Sequence, residues 1–221
     1  MINFLRKIIL KTVKTMKPPL IPPMAGDLVQ AALSACDGIE FIAAPKCPSC
    51  GGLVQGYDTK KKKFAVIRED EGERTLSVIV KRFTCRSCGT ICNADDPFYP
   101  DTRTGSPVID LCTTLTATRP FSRTATVLET MGVIIDRSSC RKYSTMQLPP
   151  IPSFDVFGMQ LPFSIISLSS LAGRYGEGNR IPGAEVLTAC GFPSAYRAPH
   201  VVEGTVHRKV RDEDQENGRP F

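Results

Sequence analysis

The stretches KCPSCGG (46–52) and TCRSCGT (84–90) decide the fold of this 221-residue chain, because both carry the same ligand pattern. Each contains two cysteines separated by two residues: Cys47, Cys50, Cys85 and Cys88. Two thiolates at this spacing bind one metal ion through a tight turn, and two such turns supply the four soft ligands of a tetrahedral Zn²⁺. We therefore predict one structural zinc site formed by these four cysteines.

The glycine after each pair and the sequence between the pairs predict a zinc ribbon. Gly51 and Gly89 allow the backbone to turn so that its amides point toward the sulfur atoms. Positions 63–67 and 75–83 have the composition of β-strands, and the acidic sequence REDEGE (68–73) suits the turn of a hairpin between them. The expected product is a small antiparallel sheet closed by the metal.

The other cysteines favour a reducing compartment. The chain has nine cysteines, an odd number, and no convincing export signal, so we expect thiols rather than disulfides and a cytoplasmic location. Cys92 is a candidate fifth ligand, but a closed structural site takes four, so we predict that it acts as a small apolar residue. Three more fall in or near predicted helices and are expected in the core: Cys36, Cys112 and Cys140.

Composition and charge indicate a folded protein with a basic amino-terminal two-thirds. Hydrophobic residues make up 42% of the chain and charged residues 23%. No apolar run approaches the roughly 20 residues of a membrane-spanning helix, so we expect no integral membrane segment. Up to Ser144 the chain has 21 lysines and arginines against 14 acids, whereas the remainder has 7 against 8. The charge is compatible with a polyanionic partner, and all of the basic excess lies in the first two-thirds.

Helical patterning follows the ribbon. Pro107 can occupy the first turn of a helix whose apolar residues repeat at intervals of three and four. Ser122 is predicted to cap a second helix that ends at Gly132, and Asp136 a third, short one. The third helix carries three basic residues: Arg137, Arg141 and Lys142. Two helices joined by a turn at Gly132 have the layout of a helix-turn-helix.

We accordingly expect an α+β fold: a small antiparallel zinc ribbon, then a three-helix, helix-turn-helix-like unit, then an irregular carboxy-terminal segment. The expected divisions of the chain are a basic helix with a proline-rich linker (1–24), a short helix with the ribbon (25–94), the helix-turn-helix-like unit (95–146), a segment rich in proline and glycine (147–205) and a charged tail, predicted to be disordered (206–221).

The order of these features resembles a known family. The ribbon, the connector DPFYPDTRTG (96–105) and the helical sequence from Pro107 to Tyr143 are together similar to the N-terminal DNA-binding region of prokaryotic transposases, in which a zinc ribbon precedes a helix-turn-helix. The resemblance covers about 45–144. It implies that the element 121–144 recognises double-stranded DNA, with Arg137, Arg141 and Lys142 as contacts.

Further nucleic-acid contacts are expected on either side of this element. Arg123 lies on the preceding helix, and Lys61 and Lys62 belong to the run KKKK (60–63), which can meet phosphates or act as a solvated strand edge. Transposases of this layout also carry a catalytic domain whose carboxylates hold two Mg²⁺ ions, and residues 145–221 are too few for one. The sequence thus favours a truncated transposase or a stand-alone regulator, and catalysis is not expected.

Three alternatives stay open at this stage. The ribbon can be a structural module for protein interaction, with 151–205 as the partner surface. It can hold iron as a rubredoxin-like electron carrier, because such sites use two similar cysteine knuckles. An enzyme acting on nucleic acid needs a carboxylate pair that the sequence does not reveal. Salt dependence of binding separates DNA from a mainly apolar protein partner, and colour separates ferric iron from zinc.

Overall fold

A computed structural model of the chain describes residues 21–44, 46–176 and 180–192. Most of the predicted N-terminal helix and linker, the charged tail and the part of the C-terminal segment beyond Phe192 lie outside the described residues. The described residues form six helices and two sheets, which confirms the α+β class.

The main sheet is built on a long hairpin that continues to the two cysteine turns. Strand β1 (Glu40–Phe41) pairs in parallel with β3 (Gly72–Cys85), whose other edge pairs with the antiparallel β2 (Val54–Glu69). The short β4 (Ile91–Asn93) pairs with the end of β3. β2 extends well beyond the predicted 63–67, because the four consecutive lysines lie inside it, where their side chains alternate between the two faces. β3 exceeds the predicted 75–83 by only two or three residues at each end.

The helices lie close to their predicted positions. They are α1 (Pro23–Ser34), α2 (Ser106–Thr116), α3 (Phe121–Thr130) and α4 (Arg137–Ser144). Asp136 caps α4 as expected, since its carboxylate accepts a hydrogen bond of 2.8 Å from the Ser139 amide. Ser122 does not cap α3: Pro120 occupies that position in an extended conformation, and the helix begins directly after it. Gly132, with a φ of +79°, follows the end of α3.

The carboxy-terminal segment is more regular than expected. Strands β5 (Ser153–Val156) and β6 (Met159–Pro162) form a hairpin, followed by α5 (Phe163–Tyr175) and α6 (Gly183–Ala189). The two residues of the turn, Phe157 and Gly158, have φ angles of +55° and +76°. Two positive φ angles make the kind of turn that matches strand twist, usually in sequences such as Asn-Gly, and phenylalanine at the first position hid it from the sequence analysis.

The ribbon region (25–94), the helical unit (95–146) and the described part of the carboxy-terminal segment (147–192) contribute buried residues to one hydrophobic core. Its largest fully buried side chains come from the hairpin, from the helices after it and from the carboxy-terminal elements, for example Phe64, Leu76, Leu111, Leu128 and Ile165. The carboxy-terminal segment therefore packs into the same core as the hairpin and the preceding helices rather than extending away from them.

A buried carboxyl joins two of these elements. Asp110 on α2 is 4% exposed, and its two oxygens accept hydrogen bonds from the hydroxyls of Tyr99 and Ser164, both at 2.7 Å. Desolvation raises the pKa of Asp110 to about 6, although both hydroxyls lower it.

We expect Asp110→Asn to remove a pH dependence of stability. Because the folded pKa lies above the unfolded one, the contribution of Asp110 is full below about pH 4 and is lost as pH rises through about 6. The parent should lose about 1 kcal/mol relative to the variant between pH 5 and pH 7. An asparagine can still accept from one hydroxyl and donate to the other. Urea unfolding of both proteins at the two pH values measures this; an equal difference at both would contradict it.

Candidate metal centre and basic surfaces

The two cysteine turns lie together at the open end of the β2–β3 hairpin and have the same backbone geometry. The Gly51 amide donates to the Cys47 carbonyl at 2.8 Å, and the Gly89 amide donates to the Cys85 carbonyl at 3.0 Å. Both glycines have positive φ angles, +71° and +70°, which a residue with a Cβ adopts only at a cost. The glycines that the sequence analysis singled out therefore form the turns it expected.

Backbone hydrogen bonds tie the two turns to each other and to the sheet. The Arg86 amide donates to the Leu53 carbonyl at 2.9 Å, which links the second turn to the chain after the first. Val54 lies opposite Cys85 in the register of β2 and β3. Each turn is thus held in place by the strand that leads out of it or into it.

The four predicted ligands converge. The sulfur of Cys50 lies 3.4 Å from that of Cys85 and 3.5 Å from that of Cys88, the sulfurs of Cys47 and Cys88 are 3.7 Å apart, and all four lie within 4.8 Å of one another. Zn–S bonds of about 2.3 Å in a tetrahedron place the sulfurs about 3.8 Å apart. The donor set and its spacing therefore fit one metal ion held by four thiolates.

Hydrogen bonds to the sulfurs of Cys85 and Cys88, the two cysteines of the second turn, favour the thiolate forms of these residues. The hydroxyl of Thr90, 3.2 Å from the sulfur of Cys88, and the Thr90 amide lower the pKa of Cys88 to about 6. The Cys88 and Ser87 amides lower the pKa of Cys85, in spite of some desolvation. Thr90 was missed by the sequence analysis, although a hydroxyl two residues after the last cysteine was a signal for it.

Cys50 differs from the two cysteines of the second turn, because its pKa is raised rather than lowered. The Gly52 amide lowers its pKa, but hydrogen bonds with the sulfurs of Cys85 and Cys88 outweigh that effect and raise it to about 12. A metal ion bound by four thiolates must displace the proton of this thiol, so metal affinity is expected to fall in acid.

The remaining cysteines take no part in this cluster. Cys92 is buried in β4, and the group of potential ligands found in the described part of the chain contains four cysteines and not Cys92. The three cysteines predicted for the core, Cys36, Cys112 and Cys140, are fully buried.

The predicted nucleic-acid contacts lie on three elements. Exposed side chains are found on α4, on α3 and on β2: Arg137, Arg141, Lys142, Arg123 and Lys61. Lys62 is different, because β2 places it opposite Val78 on the face toward the core. Its ammonium group lies 3.0 Å from the carboxylate of buried Asp96 and 3.7 Å from the centroid of the Phe98 ring. Lys62 therefore holds the connector against the hairpin, a role that a run of four lysines does not reveal.

The link between α3 and α4 is fixed to the hairpin. The Arg68 amide donates to the Gly132 carbonyl at 2.8 Å, and the Ile134 amide donates to the Val66 carbonyl at 2.9 Å. The hydroxyl of Tyr143 on α4 donates to that of Thr104 in the connector at 2.9 Å. The short basic helix is consequently held in a defined position by the sheet and the connector.

The longest helix in the described ranges is α5, with 13 residues, and none of the helices found there is long and apolar enough to cross a membrane. No protein-family model, curated protein or solved structure matches this chain significantly.

Proposed function

We propose that this chain is a zinc-dependent DNA-binding protein with the layout of the N-terminal DNA-binding region of prokaryotic transposases. The metal is assigned a structural role, because four cysteine ligands leave no open coordination position for a substrate or water. Zinc is favoured by the all-thiolate donor set and by tetrahedral spacing, which suit it without any redox function.

The arrangement of charge on α4 is the observation that carries the DNA assignment. The sequence of this helix, RSSCRKYS, contains three basic residues and no acid. Arg141 and Lys142 lie in its last turn, where the helix dipole favours positive charge. Arg137 lies in the first turn, where the dipole opposes it. An exposed arginine there does not help the helix, whereas the first residues of a recognition helix are those that reach base edges.

Arg137→Ala separates a DNA contact from a structural role. We expect binding to a mixed-sequence duplex to weaken by about tenfold, as for loss of one base-edge contact. If the contact is to a phosphate instead, the slope of log affinity against log salt should fall by about 0.9. Stability should be unchanged or slightly higher, since an unfavourable charge leaves the helix start.

Fluorescence anisotropy at two salt concentrations and urea unfolding supply these readouts. The matched control is Arg174→Ala, which removes an exposed arginine from α5 and should leave DNA binding unchanged. Equal affinity and salt slope in Arg137→Ala and the parent would overturn the assignment of α4.

Protein interaction is a second candidate, favoured by an aromatic patch on the carboxy-terminal elements. Phe154, Phe157 and Phe163 are 52%, 52% and 44% exposed, and the rings of Phe154 and Phe163 lie 6.2 Å apart. Phe157 has a positive φ, an unfavourable conformation for a large side chain. A partner that covers this patch would bind with little dependence on salt, in contrast to DNA.

A further inference from the structure

The outer edge of β5 has no partner strand among the described residues. β5 and β6 form a sheet of their own, in which each pairs with the other. Three of the four residues of β5 are exposed, whereas Met159 and Leu161 on β6 are buried, so β6 is the inner strand and β5 the outer one. The sequence of β5, SFDV, contains neither the lysine nor the proline with which exposed edges are commonly protected from pairing.

The hydrogen-bond pattern of the hairpin determines which backbone groups of β5 point outward. The Phe163 amide donates to the Pro152 carbonyl at 2.7 Å, across the position that follows the last pair of β5 and β6. Hydrogen-bonded and non-hydrogen-bonded pairs alternate in an antiparallel ladder, so Phe154 directs its amide and carbonyl toward β6. The amides and carbonyls of Ser153 and Asp155, the residues on either side of it, therefore point away from β6.

These outward groups are self-complementary. When two copies of β5 are placed side by side in antiparallel orientation, Ser153 of each copy lies opposite Asp155 of the other, and each such pair exchanges both of its backbone hydrogen bonds. Phe154 is midway between the two outward residues, so it lies opposite Phe154 of the second copy. This central pair is a non-hydrogen-bonded one, in which the opposing side chains come closest.

The side chains of β5 suit the same pairing. Phe154 is 52% exposed on the face that it shares with Leu161, and its ring lies 6.2 Å from that of Phe163, which is 44% exposed. Pairing of two copies brings two such aromatic pairs together and covers part of their exposed surface. Asp155 meets the uncharged Ser153, so the two carboxylates do not lie opposite each other, an arrangement that would oppose association.

We infer that β5 is a dimerisation edge, through which two copies of this chain pair about a two-fold axis that passes beside Phe154. The inference gives the aromatic patch a partner and goes beyond the DNA assignment, on which it does not depend. A contact between two strands of four residues is smaller than the about 1,200–2,000 Å² of stable interfaces. The dimer is therefore expected to be weak and to form as the protein concentration rises.

Sedimentation velocity of the full chain, free of nucleic acid and at concentrations up to about 1 mM, measures this association. We expect a monomer–dimer equilibrium for the parent protein. Phe154→Asp should stay monomeric at every concentration, because two carboxylates would then face each other at the axis. Its matched control is Met24→Asp, which places the same charge on an exposed apolar residue of α1 and should dimerise as the parent does.

A second pair of variants tests the backbone hydrogen bonds. Ser153→Pro removes the outward amide and leaves the hydrogen bonds between β5 and β6 intact, so it should also abolish dimerisation. Ser153→Ala keeps that amide and should dimerise. Each variant should retain the far-ultraviolet circular dichroism spectrum of the parent, which separates loss of the dimer from loss of the fold.

Amide hydrogen exchange locates the contact. Exchange at Ser153 and Asp155 should slow as the concentration of the parent rises, but not in Phe154→Asp. A parent that is monomeric at about 1 mM, or equal association of Phe154→Asp and Met24→Asp, would overturn the inference. So would a monomer in which these two amides are protected at every concentration, because a segment of the same chain would then occupy the edge. Duplex binding by Arg137→Ala is a separate readout, so the DNA assignment survives any of these failures.

Discussion

The Cys85→Ser protein is expected to purify without bound metal, whereas the parent is expected to carry one metal ion per chain. Three thiolates remain, but the sulfur of Cys85 lies 3.4 Å from that of Cys50 and completes the tetrahedral set. Loss of the metal also weakens the link between the two cysteine turns, because backbone hydrogen bonds such as that from the Arg86 amide to the Leu53 carbonyl then hold them without the metal. Metal analysis of both proteins gives the stoichiometry directly.

This substitution should loosen one end of the hairpin and leave the other folded. Near the cysteines Leu53 and Tyr57 are 68% and 58% exposed, so this end has little apolar packing. At the other end Phe64, Ile67 and Leu76 are buried in the core. Amide hydrogen exchange should therefore accelerate at positions 46–58 and 82–93, by orders of magnitude if the metal supplies most of the local stability.

Cys92→Ser is the matched control for Cys85→Ser. It makes the same chemical change at a buried cysteine of the same sheet that lies outside the four-sulfur group. We expect it to retain one metal ion. Metal loss in Cys92→Ser, or a full metal complement in Cys85→Ser, would contradict the assignment of the ligands.

Phe64→Ala is expected to lower the free energy of unfolding by about 3–5 kcal/mol. The side chain is fully buried, and its ring meets that of Phe98 edge to face at a centroid distance of 6.0 Å. The Gly105 amide donates to the Phe64 carbonyl at 2.8 Å, and a Cβ at Gly105 would overlap the ring. Phe64 therefore joins the hairpin to the connector that leads into α2, and its truncation leaves a cavity at that junction.

Urea unfolding compares Phe64→Ala with Phe154→Ala. The latter truncates the same residue type at a position that is 52% exposed, and should change the free energy of unfolding by about 0.5 kcal/mol or less. A loss below about 1 kcal/mol for Phe64→Ala would mean that this junction does not contribute to the core as described.

Features that depend on short-range spacing could be predicted from the sequence. Each cysteine pair and its glycine form a local turn, and the hairpin predicted between the pairs brings the two turns together. The helices α2 and α4 form where apolar periodicity, Pro107 and the cap at Asp136 indicate them. Such signals are contained within a few residues, so a single sequence is enough to detect them.

Features that depend on tertiary partners could not be predicted in this way. The run KKKK gives no alternation, so neither the length of β2 nor the pairing of Lys62 with Asp96 could be foreseen. The turn at Phe157 and Gly158 lacks the usual residues, and its conformation depends on β5 and β6 pairing. Pro120 competes with Ser122 for the start of α3, and local preference alone did not decide between them.

The most direct test is metal content, visible absorbance and duplex DNA binding measured on one sample of the full chain, at two salt concentrations and before and after chelation. We predict one zinc per chain, no visible colour, and DNA binding that weakens as salt rises and falls when the metal is removed. Iron with a red colour would favour the electron carrier instead. A zinc-loaded protein that binds no DNA, or binds it independently of salt, would contradict a zinc-dependent DNA-binding protein.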